Sequence, residues 1–221
     1  MIIVGLGNPG EEYRRTRHNA GFLLLEAACR RWRCGEWSRQ RLFRENQLRV
    51  AGGGHRLVQP LTYMNCSGEA VDVLLREGAA PEDLVIVLDD VELPLGRLRI
   101  RHRGGAGGHN GLQSILDVVA NQRVARMRLG VGRPEGSGRM TEHVLGPFED
   151  EDWERFTQIL ARALDALHVI LKQGITAAMN RFNGLPAPWD EADAAADAAV
   201  DAAADADANA AADADAVVEG E

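Results

Sequence analysis

Little in this chain invites a cross-linked or membrane-borne architecture. Cys29, Cys34 and Cys66 are its only cysteines, odd in number and without a C-x-x-C pair, which argues against a disulfide framework and a structural zinc site. No run of about 18 apolar residues occurs, so no spanning helix is expected. Met1 leads directly into a short strand pattern rather than a basic segment with a long apolar core, so no secretory leader is expected. Together these absences predict a reduced, cytoplasmic protein. Lysine is almost missing too: Lys172 stands alone among 25 basic residues. Because arginine replaces lysine throughout, arginine density alone marks no site.

Basic residues are also missing from one end. Residues 190–221 contain eleven of the 33 acidic residues and no Lys or Arg, so the formal net charge of −8 misdescribes the rest. Residues 1–189 carry 22 acids against 25 bases, a mild excess that permits an anionic partner. Past Trp189 the chain is Ala with recurring Asp and no large apolar residue, which predicts a disordered acidic tail. The expected division is a catalytic domain over 1–186 and a low-complexity tail over 187–221.

Within the domain, strand and helix patterns alternate. Ile2 to Gly5, Leu42 to Ala51, Arg56 to Pro60, Leu84 to Leu88, Leu98 to Arg101 and Arg126 to Gly132 read as strands. Ala20 to Trp32, Ser67 to Glu77, Leu112 to Ala120, Trp153 to Gln173 and Ile175 to Phe182 read as helices. Alternation argues for parallel pairs, and Gly52-Gly53-Gly54 for one antiparallel hairpin. The expectation is a single α/β sandwich with a mixed sheet.

Gly5-x-Gly7-x-x-Gly10 satisfies the dinucleotide-binding pattern, but its context does not. That fingerprint needs a helix opening at the third glycine to meet a pyrophosphate. Here Glu11 and Glu12 follow, the helix pattern begins only near Ala20, and arginines stand where a ribose-binding acid belongs. The glycines read better as a turn exposing Asn8, and no cofactor is expected.

Polar residues recur beside strand and helix ends: Asn8, His18-Asn19, Tyr63-Met64-Asn65, Asp89-Asp90 and His109-Asn110. In open α/β sheets ligands gather at the carboxyl ends of strands. Individually these residues also suit helix caps and satisfied loop positions. Their joint placement outlines one site.

The phrases GLGNPGEEYRRTRHNAGF, QPLTYMNCSGEAV, VLDDVELPLGRLRIR, GGAGGHNGLQSI and RMRLGVGRP resemble, in order and spacing, the bacterial peptidyl-tRNA hydrolase family. The resemblance covers about residues 1 to 184. It implies a single α/β/α domain, usually monomeric, that cleaves the ester joining a peptide to tRNA. It further implies His18 as catalytic base with Asp89 as its partner, and Asn8, Asn65 and Asn110 as substrate-binding amides. Tyr13 would lie at the tRNA end, and Tyr63 stands where the family often has Phe.

The residue chemistry agrees. An imidazole near its ordinary pKa of about 6.5 takes a proton from water at neutral pH. Asp89 accepting from Nδ1 would orient it and stabilise the imidazolium. Ser67, the rival nucleophile, lacks a G-x-S-x-G elbow and reads as a helix-start residue. No His/Asp/Glu set has metal-ligand spacing, so no metal is expected. Arg97, Arg99, Arg101 and Arg103 alternate, and on a strand they would share one face. Such aligned charge calls for neutralising anions, or else guards an exposed strand edge. Arg126, Arg128, Arg133 and Arg139 are candidates to extend a phosphate track, with Arg101 and Arg128 the contacts expected to bind tRNA.

Overall fold

The computed structural model describes residues 1–50, 52–119, 123–134 and 139–190. Its strands are β1 (Ile2–Gly5), β2 (Ser38–Arg39), β3 (Phe43–Val50), β4 (Gly53–Pro60), β5 (Leu84–Asp90), β6 (Leu98–Arg101) and β7 (Ala125–Gly130). The helices are α1 (Ala20–Trp32), α2 (Ser67–Arg76), α3 (Asn110–Val118), α4 (Met140–Leu145), α5 (Asp150–Gln173) and α6 (Ile175–Phe182). One sheet runs in the order β2-β3-β4-β1-β5-β7-β6. β1 pairs in parallel with both β4 and β5, and β5 with β7, while β2, β3 and β6 add antiparallel pairs at the two edges.

Two apolar layers flank this sheet. On one face Leu24, Leu25, Phe156, Leu167 and Ile170 from α1 and α5 meet Ile3, Val85, Val87 and Met127. On the other, Val71, Leu74, Leu112 and Ile115 from α2 and α3 meet Val4, Val58, Ile86 and Leu88. β5 is buried at every residue, as its unbroken apolar run requires once helices cover both faces. The architecture is therefore the expected α/β/α sandwich with a mixed sheet.

Several boundaries shift for identifiable reasons. Gly53 and Gly54 lie inside β4, opposite Val50 and Arg49, rather than in the turn that the glycine triplet implied. α3 opens at Asn110 rather than Leu112, because His109 serves as its N-cap. β2 and α4 have no clear sequence pattern: one is two residues long and the other six. The chain divides into two units, Met1–Leu185 and Pro186–Glu221. Of the second, residues 186–190 are described, and the expected acidic tail otherwise lies outside the described residues.

The glycine fingerprint finds its explanation in packing. A Cβ at Gly21 would collide with the backbone of Leu6 and Val87, and one at Gly5 would collide with Gly21. Only hydrogen at both positions lets the start of α1 press onto the ends of β1 and β5. Phe22 N–H then bonds Leu6 O at 3.2 Å, and Leu6 N–H bonds Val87 O at 2.9 Å. Gly10 has φ of 125°, and a short 3-10 turn at Glu11–Tyr13 follows instead of a phosphate-facing helix.

Candidate active site

The carboxyl ends of β1 and β5, the segment after β4 and the start of α3 converge on one open cleft of about 640 Å³. It is lined by Asn8, Tyr13, His18, Tyr63, Asn65, Asp89, His109, Asn110 and Arg128, with Met140, Thr141, Val144 and Leu145 of α4 forming its roof. Eight of the nine site residues expected from sequence are thus brought together. Arg101, on the edge strand, is the one outside the cleft lining.

Asp89 is the hub. Its carboxylate is 2 % exposed. His18 Nδ1 lies 3.0 and 3.1 Å from its two oxygens, and His109 Nε2 lies 3.0 Å from Oδ1. Burial alone would push this carboxyl up. The attraction and hydrogen bond of His109, joined by those of His18, outweigh it and hold the group well below the usual carboxylate range. An ionised carboxylate only accepts, so both rings donate to it. His18 therefore carries its proton on Nδ1 and keeps the Nε2 lone pair for use as a base.

The tautomer of His109 is fixed from two sides. Its Nδ1 accepts the backbone N–H of Leu112 at 3.2 Å, capping α3, while Nε2 donates to Asp89. The same three side chains place ligand-type atoms within 4.8 Å of one another, a cluster that sequence spacing did not reveal. A metal ion would need the Nε2 lone pair of His109, and metal-bound imidazoles normally donate from their other nitrogen. The Leu112 N–H demands an acceptor there, so the arrangement suits a hydrogen-bonded triad better than a metal centre.

Asn8 is held with comparable definition. Asn19, at the start of α1, makes no capping bond. Its side chain instead accepts Asn8 N–H at 2.8 Å and donates to Asn8 O at 3.0 Å. The Oδ1 of Asn8 accepts Met64 N–H at 2.8 Å. The remaining amide NH2 is left as a hydrogen-bond donor on a residue that lines the cleft. Asn65 and Asn110 are exposed at the same cleft, as is Tyr63 at 64 %. Ser67 is fully buried, donates to Met64 O at 2.8 Å and does not line the cleft, which removes it as a nucleophile.

The arginines divide into two groups. The strand pattern ends at Arg101, where the chain turns into the Gly-rich loop. Arg99 and Arg101 therefore share the exposed face of β6, while Arg97 donates to Leu185 O at 2.6 Å and Arg103 lies beyond the strand. Directly opposite Arg99 and Arg101 on β7 stand Arg128 and Arg126. These two turn inward onto the Gly-rich loop. Arg128 bonds Asp90 at 3.2 Å, Ala106 O at 2.8 Å and Gly105 O at 3.1 Å. Arg126 is 1 % exposed and donates to Val124 O and Gly104 O. Burial, and then the like charge of Arg128, pulls its guanidinium down to about 10, still charged at neutral pH. Arg133 pairs with Glu92 and Arg139 with Glu142, both on the surface.

His109, Asn19 and Arg126 were legible in sequence only as loop, cap and phosphate-track candidates; their bonds to Asp89, Asn8 and the Gly-rich loop are what the sequence did not show. The available signal was the repeated His-Asn pair, each placed immediately before a helix. Nothing in linear spacing joins His109 to Asp89.

An oriented imidazole–carboxylate pair at the carboxyl ends of the central strands, with no serine or cysteine among the described residues that line the cleft, is the arrangement of a hydrolase that activates water. The profile of the family described as peptidyl-tRNA hydrolase matches residues 2–191, and this chain belongs to that family. A peptidyl-tRNA hydrolase from Thermotoga petrophila is 43 % identical over 187 residues, covering 84 % of this chain and 98 % of the relative. One from Akkermansia muciniphila is 40 % identical over 190 residues, covering 84 % and 96 %. The crystal structure of peptidyl-tRNA hydrolase from Acinetobacter baumannii superposes with a TM-score of 0.78 at 32 % identity, covering 84 % of this chain and 95 % of that one.

Proposed function

We propose that this protein hydrolyses the ester between a peptide and the terminal ribose of tRNA, with His18 as the base that activates water. The observation that carries the reading is the Asp89 hub, which leaves His18 Nε2 unprotonated beside a cleft furnished with neutral amides. His18 Nε2 removes a proton from water, and the water oxygen attacks the ester carbonyl carbon. The Asn8 NH2 donates to the oxyanion, a contribution of about 3 kcal/mol for a well-placed donor. Collapse breaks the bond to the ribose oxygen, which takes the proton back from His18. Asp89 stabilises the transient imidazolium and holds the ring.

Asn65 and Asn110 are assigned to the peptide backbone, and Tyr13 to the tRNA end. Tyr63 offers its exposed ring to the substrate. Arg101, with Arg99 beside it, is assigned to backbone phosphate. Arg128 faces the cleft but is committed to the loop, so its part in tRNA binding is to shape the site. We assign the protein to the cytoplasm as a monomer that needs neither metal nor organic cofactor and returns tRNA to translation. No helix among the described residues is long and apolar enough to cross a membrane.

The test is single-turnover hydrolysis of a labelled N-acetyl-aminoacyl-tRNA. His18→Ala is expected to lose at least about a hundredfold in rate with the fold intact. Wild-type rates in that variant would overturn the base assignment. Absence of hydrolysis by the unmodified protein, with tRNA binding retained, would favour a non-catalytic RNA-binding role on the same scaffold.

A further inference from the structure

Arg17 immediately precedes the base, yet its side chain takes no part in the chemistry above. It is 6 % exposed, a costly placement for a charge that a long apolar side chain would fill more cheaply. Its partners explain why the charge is there. Nη2 pairs with Asp152 in the first turn of α5 at 2.7 Å. Nη1 donates to Pro147 O at 2.9 Å and reaches His143 O at 3.5 Å, and the guanidinium lies 4.9 Å over the Phe148 ring.

Those carbonyls belong to the end of α4 and the residues just past it. A helix end leaves its last carbonyls without internal partners and presents negative potential, and a six-residue helix has little stability of its own. Backbone contacts run alongside: Thr16 bridges Pro147, and Phe148 N–H bonds Arg15 O at 3.1 Å. On the far side His143 Nε2 lies 2.9 Å from Gly132 O. One guanidinium thus joins the end of α4, the start of α5 and the turn that carries His18.

We propose that Arg17 is a positioning residue that orders the roof helix α4 over the cleft, so that substrate binding depends on its guanidinium. The proposal rests on the hydrolase reading only for its kinetic consequence; the ordering of α4 stands apart from it. The His18 turn retains its own bonds to Asp89, so the base keeps its chemistry when the roof loosens.

The experiment compares Arg17→Met, Arg17→Lys and Asp152→Asn with the unmodified protein by amide hydrogen exchange and by kinetics on N-acetyl-aminoacyl-tRNA. In Arg17→Met, exchange over residues 140–146 is expected to accelerate by about tenfold or more while residues 159–170 of α5 keep their protection. KM is expected to rise about fivefold, with kcat within about twofold and the pH midpoint of kcat unchanged. Arg17→Lys keeps the charge but loses the planar fork, and is expected to fall between the two. Asp152→Asn leaves the carbonyl bonds in place and keeps the test open if Arg17→Met does not fold, with an expected exchange increase of about threefold confined to the same segment. Unchanged local exchange, a loss of protection spread evenly through α5, or a fall in kcat at constant KM would each overturn the proposal. Failure of the base assignment appears separately, as activity retained by His18→Ala.

Discussion

The backbone N–H of Leu112 lies 3.2 Å from Nδ1 of His109, and this bond decides which nitrogen of that ring carries a proton. The proton is thereby directed at Asp89, and a helix cap becomes part of an acid–base network. His109→Asn separates the two roles, because asparagine is itself a good N-cap but too short to reach Asp89. The variant is expected to melt within a few degrees of the wild type while its hydrolytic rate falls about 10- to 100-fold, the worth of one hydrogen bond to a charged group. A full rate would mean that His18 alone suffices to orient Asp89.

The depressed Asp89 carboxyl sets a pH dependence of stability with a defined sign. Its folded value lies below the unfolded value of about 3.9. Its contribution is therefore complete above about pH 4 and is lost progressively as pH falls toward the folded value. The melting-temperature gap between wild type and Asp89→Asn is expected to be widest above about pH 4 and to narrow on acidification. Calorimetry across pH 2.5 to 7 measures it, and a gap that widens with acid would contradict the assignment. At pH 7 the same variant is expected to hydrolyse about 10³- to 10⁴-fold more slowly.

Arg101 and Arg128 project from adjacent strands but belong to different machinery. On the phosphate role proposed for the exposed Arg101, Arg101→Gln is expected to weaken tRNA binding and reduce the slope of log affinity against log salt by about one. Arg128→Met releases the carbonyls of Gly105 and Ala106 and leaves Asp90 without its guanidinium. Its expected signature is a slower hydrolytic step with a nearly unchanged salt slope. Filter-binding titrations over a salt series, paired with single-turnover rates, distinguish the two.

Gly21 sits where α1 meets the ends of β1 and β5 with no room for a methyl group. Gly21→Ala must push backbone against backbone, at a cost near or above the upper end of the usual 1–3 kcal/mol for overpacking. A melting temperature lower by at least about 4 °C is expected. An unchanged melt would mean that α1 slides freely on the sheet.

Sequence pattern reached far into the fold because the strongest signals are local. The β-branched run from Leu84 to Leu88 reads as a strand buried on both sides, and the stripe from Phe156 to Ile170 reads as a helix facing a core. α4 was illegible because six residues carry too little periodicity, and the Arg17 guanidinium that meets its last carbonyls lies more than 120 residues away. The residues that meet in the cleft were legible through their motifs, but their bonding was not. Asn19 looked like a helix cap and became the clamp on Asn8. Arg126 and Arg128 looked like a phosphate track and became anchors of the loop before His109.

By itself, then, the sequence determined the alternation of strands and helices, the family, and the residue types available for ester hydrolysis, since these follow from local periodicity and motif spacing. Tertiary structure alone decided that His18 and His109 share one carboxylate, that Asn8 offers a donor, and that Arg17 looks away from the site it adjoins. Those outcomes depend on which hydrogen-bonding groups meet when separate elements pack, and buried polar groups must find partners wherever the fold places them.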